Sequence, residues 1–442
     1  MNRNLLFATV VSALGSFLFG FDTAVISGTT KFITEYFSLT DTTLGVTVSI
    51  ALWGTVIGSI VIGKPGDVFG RRVMLSACGV LYFISAIGCA VAESWYVLLF
   101  SRFLGGLAIG AASVMAPMYI AEIAPGRLRG RLVAVAQFNI VIGILVAFFS
   151  NYLLVDIGAN NWRWMFGVMA FPAALFFLLL FFVPESPRWL VKQKLVDKAR
   201  SVLQKVGAEN LESDLTDIVN SLKEEFGQGV TKLFQKKYRF PIMCAVLLAV
   251  FNQLSGINVI MYYAPLIFEK AGASTNAAML QAVAVGVTNL VFTIVAMFFI
   301  DKLGRKTLLL IGAVGMFVSL AGAAFHYYFE NLFSGVGIVI FIVGFIAFFA
   351  FSQGAVIWVF LAEIFPNKVR AKGQALGSFT HWIMNALIGL VFPVVLSALG
   401  GGSVFMFFAV MMIPFFFFVW KMMPETKGKS LEELERVILS RE

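Results

Sequence analysis
Apolar residues in this chain fall in long, nearly unbroken blocks, and polar residues collect between them. Twelve blocks stand out, at roughly 5–28, 43–63, 73–92, 97–121, 132–154, 164–183, 241–267, 275–300, 307–328, 335–361, 373–399 and 402–422. A helix needs ~20 apolar residues to cross a bilayer, and each block is about that long. The pattern predicts an all-α integral membrane protein with twelve transmembrane helices. The first block is too long for a cleavable signal and contains Asp22, so it reads as a retained helix. Between the sixth and seventh blocks, from about Lys192 to Lys237, the chain turns polar. There 191–200 and 211–226 keep a helical apolar spacing with charged opposite faces. They predict short amphipathic helices at the cytoplasmic membrane surface or beneath the bundle.

The two sets of six blocks echo each other. Asp67 of Gly66-Asp67-Val68-Phe69-Gly70-Arg71-Arg72 recurs as Asp301 of Asp301-Lys302-Leu303-Gly304-Arg305-Lys306, 234 residues on. Glu122 of Ala121-Glu122-Ile123-Ala124-Pro125 recurs as Glu363, 241 residues on, and Glu185 of Pro184-Glu185-Ser186 recurs as Glu425, 240 residues on. Three motifs in one order at nearly one spacing indicate a duplicated six-helix unit. Six is an even number of crossings, so both copies insert the same way up. That gives two pseudo-symmetric halves about an axis along the membrane normal, the major facilitator arrangement. The expected organisation is an N-terminal half over 1–190, a linker over 191–238, a C-terminal half over 239–425 and a tail over 426–442.

Charge fixes the expected orientation. Hydrophobic residues make up 60% of the chain and charged ones 13%, with a net charge of +9. Of 33 Lys and Arg, only Lys31, Arg163 and Lys270 fall in loops on the odd-numbered side. Arg102 lies within a block, and the rest sit on the other side. The positive-inside rule then places both termini in the cytoplasm, and the expected location is the plasma (inner) membrane. The basic loops face anionic lipid headgroups, and no nucleic-acid partner need be invoked. Cys78, Cys89 and Cys244 all lie in apolar blocks without paired spacing, so neither disulfides nor a metal site is expected.

Polar residues inside apolar blocks carry the candidate chemistry, because hydrocarbon offers them no partners. The densest group is Phe251-Asn252-Gln253-Leu254-Ser255-Gly256-Ile257-Asn258-Val259-Ile260-Met261-Tyr262-Tyr263. Asn258 and Tyr262 share a helix face. Gln253 and Asn258 are about 140° apart on a regular helix, so they can face one cavity only if the helix is distorted at Ser255-Gly256. A broken membrane helix near the midplane is a sequence pointer to a transporter binding site. Further polar and aromatic residues are Gln137 in block 5, Asn289 in block 8, Trp358 in block 10, and His381, Trp382 and Asn385 in block 11. Amides and indole faces suit the hydroxyls and C–H face of a neutral polyhydroxylated ligand.

Asp22 and Arg102 are buried charges at similar depth, about 9 and 6 Å in from one side at ~1.5 Å per residue. They are candidate partners, as a structural ion pair or as a titratable proton site. A third set lies at the cytoplasmic helix ends: Asp67, Arg71, Arg72, Glu122, Arg129 and Glu185, with Asp301, Arg305, Glu363, Arg370 and Glu425 in the second half. Glu122 to Arg129 and Glu363 to Arg370 are both seven apart, which allows contact across a helix end. The set reads as salt bridges that join helix ends when the cytoplasmic side is closed. No His-Glu-x-x-His, Cys-x-x-Cys or phosphate loop is present, so an enzyme, a cofactor and a metal are not expected.

At these residues the chain resembles the sugar porters of the major facilitator superfamily, which include bacterial sugar–proton symporters and animal glucose facilitators. The resemblance rests on Gly66-Asp67 with Gly70-Arg71-Arg72, Pro184-Glu185-Ser186-Pro187-Arg188-Trp189-Leu190, Gln253-Leu254-Ser255-Gly256-Ile257-Asn258 and Pro424-Glu425-Thr426-Lys427-Gly428. It implies sugar contacts at Gln137, Gln253, Asn258, Asn289, Trp358, Trp382, Asn385 and the His381 position, with Phe19 and Tyr262 as aromatic wall. It also implies a proton-coupling role for Asp22, where facilitators of the family carry an amide. Four residues depart from the family pattern: Asn252, Ile144, His381, and Ala355 in place of a proline in block 10. The expectation is a proton-coupled monosaccharide (hexose or pentose) symporter working by alternating access, with sugar, proton and lipid as partners. The alternatives are a proton-independent facilitator and a non-transporting sugar sensor, the latter expected to carry a longer tail.

Overall fold
The computed structural model describes residues 2–125, 128–208, 210–227, 233–329, 337–366 and 369–427. Among them the chain is helical, with no strand. The helices are α1 (Arg3–Phe37), α2 (Asp41–Val61), α3 (Gly63–Phe69), α4 (Arg71–Ala90), α5 (Trp95–Ile123) and α6 (Arg129–Leu154). They continue as α7 (Asn161–Gly167), α8 (Ala170–Leu180), α9 (Pro187–Lys192), α10 (Val196–Val206), α11 (Leu211–Gly227) and α12 (Arg239–Leu254). The last six are α13 (Ile257–Lys270), α14 (Thr275–Leu303), α15 (Arg305–Tyr328), α16 (Gly337–Phe351), α17 (Gln353–Glu363) and α18 (Arg370–Lys421).

Among the described residues, eleven continuous stretches are long and apolar enough to cross a membrane. The last, α18, runs 52 residues and breaks at Gly400, whose φ of 74° is left-handed. It therefore supplies two crossings, and the twelve expected spans are all present. Three spans are each built from two helices: α7 with α8, α12 with α13, and α16 with α17. α1 continues nine residues past the expected boundary at residue 28.

The chain forms two compact units. The first comprises Met1–Val25, Ile50–Ala147 and Asp156–Val230. The second comprises Ile26–Ser49, Phe148–Val155 and Thr231–Glu442.

In the first unit α4 packs along α5 and α8. α1 and α6 approach until a Cβ on Gly20 would lie 1.9 Å from the Ile140 carbonyl oxygen. That contact holds Phe19 and Gln137 on neighbouring helices. The polar linker folds as the pattern predicts. Ala199, Val202, Leu203 and Val206 form the buried stripe of α10. The Trp189 indole nitrogen donates to the Asp67 carbonyl at 2.9 Å, which fastens α9 beneath the bundle.

In the second unit α18 packs against α15, α12 and α13. Lys31, from the end of α1, donates to Thr275 at 2.7 Å and lies 3.4 Å from Glu269. This contact is at the opposite end of α14 from Arg305, about 43 Å away at ~1.5 Å per residue.

Candidate functional site
The stretch 251–263 does not form a regular helix. α12 ends at Leu254, and Gly256 takes a left-handed φ of 82°. A side chain at Gly256 would meet the Phe408 ring at 2.6 Å, so both the conformation and the space call for glycine. Ser255 Oγ donates to the Asn252 carbonyl at 2.6 Å, which absorbs one of the backbone acceptors freed by the break. A second distortion falls at Tyr263, with φ −128° and ψ 16°. Its hydroxyl donates to the Gly389 carbonyl at 3.0 Å.

The break rotates Asn258 back toward Gln253. Asn258 Nδ2 donates to Gln253 Oε1 at 2.8 Å, and Gln253 Nε2 donates to Asn252 Oδ1 at 3.0 Å. Gln253 Nε2 also lies 3.1 Å from His381 Nδ1 and 3.2 Å from Nε2. An amide nitrogen only donates, so this contact is a hydrogen bond in the tautomer that turns a lone pair toward it. The His381 ring centroid is 5.1 Å from that of Trp358 and 5.2 Å from that of Trp382. Asn385 Nδ2 donates to the Tyr262 hydroxyl at 2.8 Å. Gln253, Asn252, Asn385 and Tyr262 are all at most 2% exposed.

The second unit thus brings together Gln253, Asn258, Tyr262, Trp358, His381, Trp382 and Asn385 from α12, α13, α17 and α18. Two buried atoms in this network, Asn252 Nδ2 and Asn385 Oδ1, have no partner among the described residues. They offer one donor and one acceptor to a ligand. Asn289, on α14, is 8% exposed. Phe19 and Gln137 lie in the first unit, half-buried on α1 and α6. Asn252 and His381 depart from the family pattern. Their role as direct partners of Gln253 was not legible, because the break that sets the geometry was only inferred. Ala355 does not abolish the bend in the tenth span. The helix is interrupted at Ser352, with φ −119° and ψ −90°, without help from a proline.

In the first unit Asp22 and Arg102 meet. Arg102 Nη1 lies 3.1 Å from Asp22 Oδ1 and 3.2 Å from Oδ2, with both side chains 3% exposed. The guanidinium also stands 5.7 Å from the Phe166 ring centroid. Arg102 Nε has no partner among the described residues. Removing one member of such a pair strands a buried charge, which typically costs ~3–5 kcal/mol.

The charged motifs form one arrangement twice. Arg71 binds Glu122 through Nε at 3.0 Å, and Arg305 binds Glu363 through Nη2 at 2.9 Å. Each arginine also reaches the aspartate four residues before it, Asp67 at 3.1 Å and Asp301 at 2.9 Å. Glu185 accepts the backbone N–H groups of Arg71 and Arg72 at the start of α4. Glu425 does the same for Arg305 and Lys306 at the start of α15. A carboxylate there complements the positive end of the helix dipole. Gly70 and Gly304 precede these helices with φ of 97° and 89°. A Cβ at either would fall 2.4–2.5 Å from the capping carboxylate. Ser186 donates to Glu122 and Thr426 to Glu363, completing the correspondence.

Glu122 and Glu363 therefore each have an arginine partner from the preceding motif, a pairing that spacing along the chain did not reveal. Arg370 Nε donates to the Phe365 carbonyl at 3.3 Å. Arg72 Nη1 donates to the Val183 carbonyl at 3.2 Å. The side chain of Arg129 lies outside the described residues.

Burial acts to raise the Asp67 carboxyl, but Lys192, 3.0 Å away, and Arg71 outweigh it and hold it below its usual range. The stability it lends is present above the ordinary carboxylate pKa and is lost as pH falls through the lowered value. Glu185 is the reverse case. Burial pushes its carboxyl up, against the backbone N–H groups of Ser186, Arg72 and Arg71. Its contribution is greatest below the ordinary carboxylate range and declines as pH rises through the raised value.

The chain is 37% identical to the D-xylose-proton symporter of Escherichia coli (strain K12), over 98% of this chain and 96% of that one. It is 38% identical to the arabinose-proton symporter of Bacillus subtilis (strain 168), over 96% and 93%. An inward-open structure of the xylose transporter XylE from E. coli superposes with a TM-score of 0.86 at 36% identity, covering 98% of this chain and 99% of that one. The family model described as "Sugar (and other) transporter" matches residues 8–438. The chain therefore belongs to that family, the sugar porters of the major facilitator superfamily, which are multi-pass membrane transporters and not enzymes.

Proposed function
We propose that the protein is a proton-coupled monosaccharide symporter that works by alternating access. One observation carries the proposal: a buried amide and aromatic network in one unit accompanies a buried Asp22–Arg102 ion pair in the other. Gln253, Asn258, Asn289, Trp358, His381, Trp382 and Asn385 recognise the sugar, with Tyr262 as aromatic wall. Asp22 takes up the proton. Its neutral form releases Arg102, so protonation changes which helices of the first unit hold together. The symporter names of the relatives support coupling, and the pentose names support a small monosaccharide. The halves over 1–190 and 239–425, joined by the 191–238 linker and followed by a 426–442 tail, are the bodies that rearrange. Both termini face the cytoplasm, as the distribution of Lys and Arg supports.

The test is counterflow in proteoliposomes with labelled D-xylose, L-arabinose and D-glucose. Exchange of at least one, blocked by the unlabelled sugar, is expected. Exchange of none contradicts the reading.

The paired charge clusters govern the equilibrium between states. Glu363→Gln keeps the shape of the side chain but weakens the charge-assisted bond to Arg305, 2.9 Å away. A loss of ~1.4 kcal/mol corresponds to about a tenfold shift in that equilibrium, so net uptake should slow by about that factor. Sugar binding at equilibrium should persist, because Glu363 belongs to a separate cluster. Loss of binding in a normally folded variant would contradict this assignment.

A further inference from the structure
Gln353 is the first residue of α17 and follows the break at Ser352. It is 0% exposed, and both its Nε2 and its Oε1 lack a partner among the described residues. Burying an amide with neither end satisfied is costly, and such groups point to a ligand or a bound water. The local backbone does not relieve it. Ser352 Oγ is already bonded to the Phe348 carbonyl at 2.6 Å, and the Ser352 carbonyl to the Val356 N–H at 2.9 Å. As the first helical residue, Gln353 also brings a backbone N–H that α17 itself does not satisfy.

Two facts connect this amide with the sugar site. The same eleven-residue helix carries Trp358, whose ring packs on His381. α17 also packs against α12 and α18, which carry Gln253, His381 and Asn385. Gln353 stands about 7.5 Å along the helix axis from Trp358 and about 140° around it, so the two side chains can reach one ligand only from different sides. A group that satisfies both an orphaned donor and an orphaned acceptor is one that can accept and donate at once. A sugar hydroxyl does so.

We propose that Gln353 is a further specificity-determining residue, which binds one hydroxyl of the transported sugar through both ends of its amide. The proposal rests on the sugar-transport reading above. It also gives the break at Ser352 a purpose: an uninterrupted helix would place this side chain elsewhere.

The test uses the full-length protein in detergent and Gln353→Leu, with Gln353→Asn as a shorter amide. Binding of the sugar that passes counterflow is measured beside its monodeoxy analogues, together with thermal unfolding. Replacing an unsatisfied amide by leucine should leave unfolding unchanged or raised. Affinity for the parent sugar should nonetheless fall about ten- to a hundredfold. The loss should vanish for one analogue, the one lacking the hydroxyl that Gln353 binds. Gln353→Asn should fall between the two. An unchanged affinity, or an equal loss for every analogue, overturns the role of Gln353 while leaving the transport reading intact. If the unaltered protein binds none of D-xylose, L-arabinose and D-glucose, both fall together.

Discussion

Asp22→Asn abolishes accumulation of sugar against its gradient while sugar binding survives. The expectation follows from the surroundings of Asp22. Its carboxylate is buried, and Arg102 Nη1 contacts both of its oxygens at 3.1–3.2 Å. A carboxyl can exist in two states there, charged and paired or neutral and released. Asparagine has nearly the same shape but only the neutral state. The variant can undergo the conformational change, yet it carries no proton through it. One proton moving down 100 mV supplies ~2.3 kcal/mol, enough for roughly fiftyfold accumulation. The variant should lose all of it. Exchange of labelled for unlabelled sugar, which needs no net proton movement, should continue. Counterflow and gradient-driven uptake measured on the same proteoliposomes separate the two. Accumulation undiminished in Asp22→Asn would show that the pair is only structural.

Gln253→Ala weakens sugar binding about ten- to a hundredfold, and Asn258→Ala does so to a similar extent. Gln253 contacts three side chains, Asn252, Asn258 and His381. Removing a buried partner strands the groups left behind, at ~1–3 kcal/mol each. Because the two amides bond each other at 2.8 Å, their effects should not add. The double variant should lose less than the product of the single losses. Equilibrium binding of the three variants checks both statements. Wild-type affinity in both single variants would mean that the sugar sits elsewhere.

The spans were legible in the sequence because hydrocarbon imposes a length and an apolar composition on every crossing helix. The duplication was legible because the charged motifs recur at nearly constant offsets. The need for a break at Ser255-Gly256 was legible too, since Gln253 and Asn258 sit five residues apart on faces that a regular helix separates. What remained hidden were contacts between distant segments. Glu122 could be matched with an arginine seven residues on, whose side chain lies outside the described residues, but its bond to Arg71, 51 residues earlier, was not foreseen. His381 looked like an oddity of the eleventh span. Its ring faces an amide 128 residues away. Gln353 carried no signal at all, because it belongs to no motif, and only its burial and its orphaned atoms mark it. The identity of the sugar is a matter of which hydroxyls meet which amides, and no spacing along the chain encodes that.

The most direct test of coupled transport is uptake by the unaltered protein in sealed proteoliposomes, with and without an imposed pH gradient, acid outside. The account predicts that the internal sugar concentration overshoots the external one when the gradient is present, and collapses to equality when a protonophore dissipates it. Uptake that stops at equal concentrations under both conditions would contradict coupling and make the protein a facilitator.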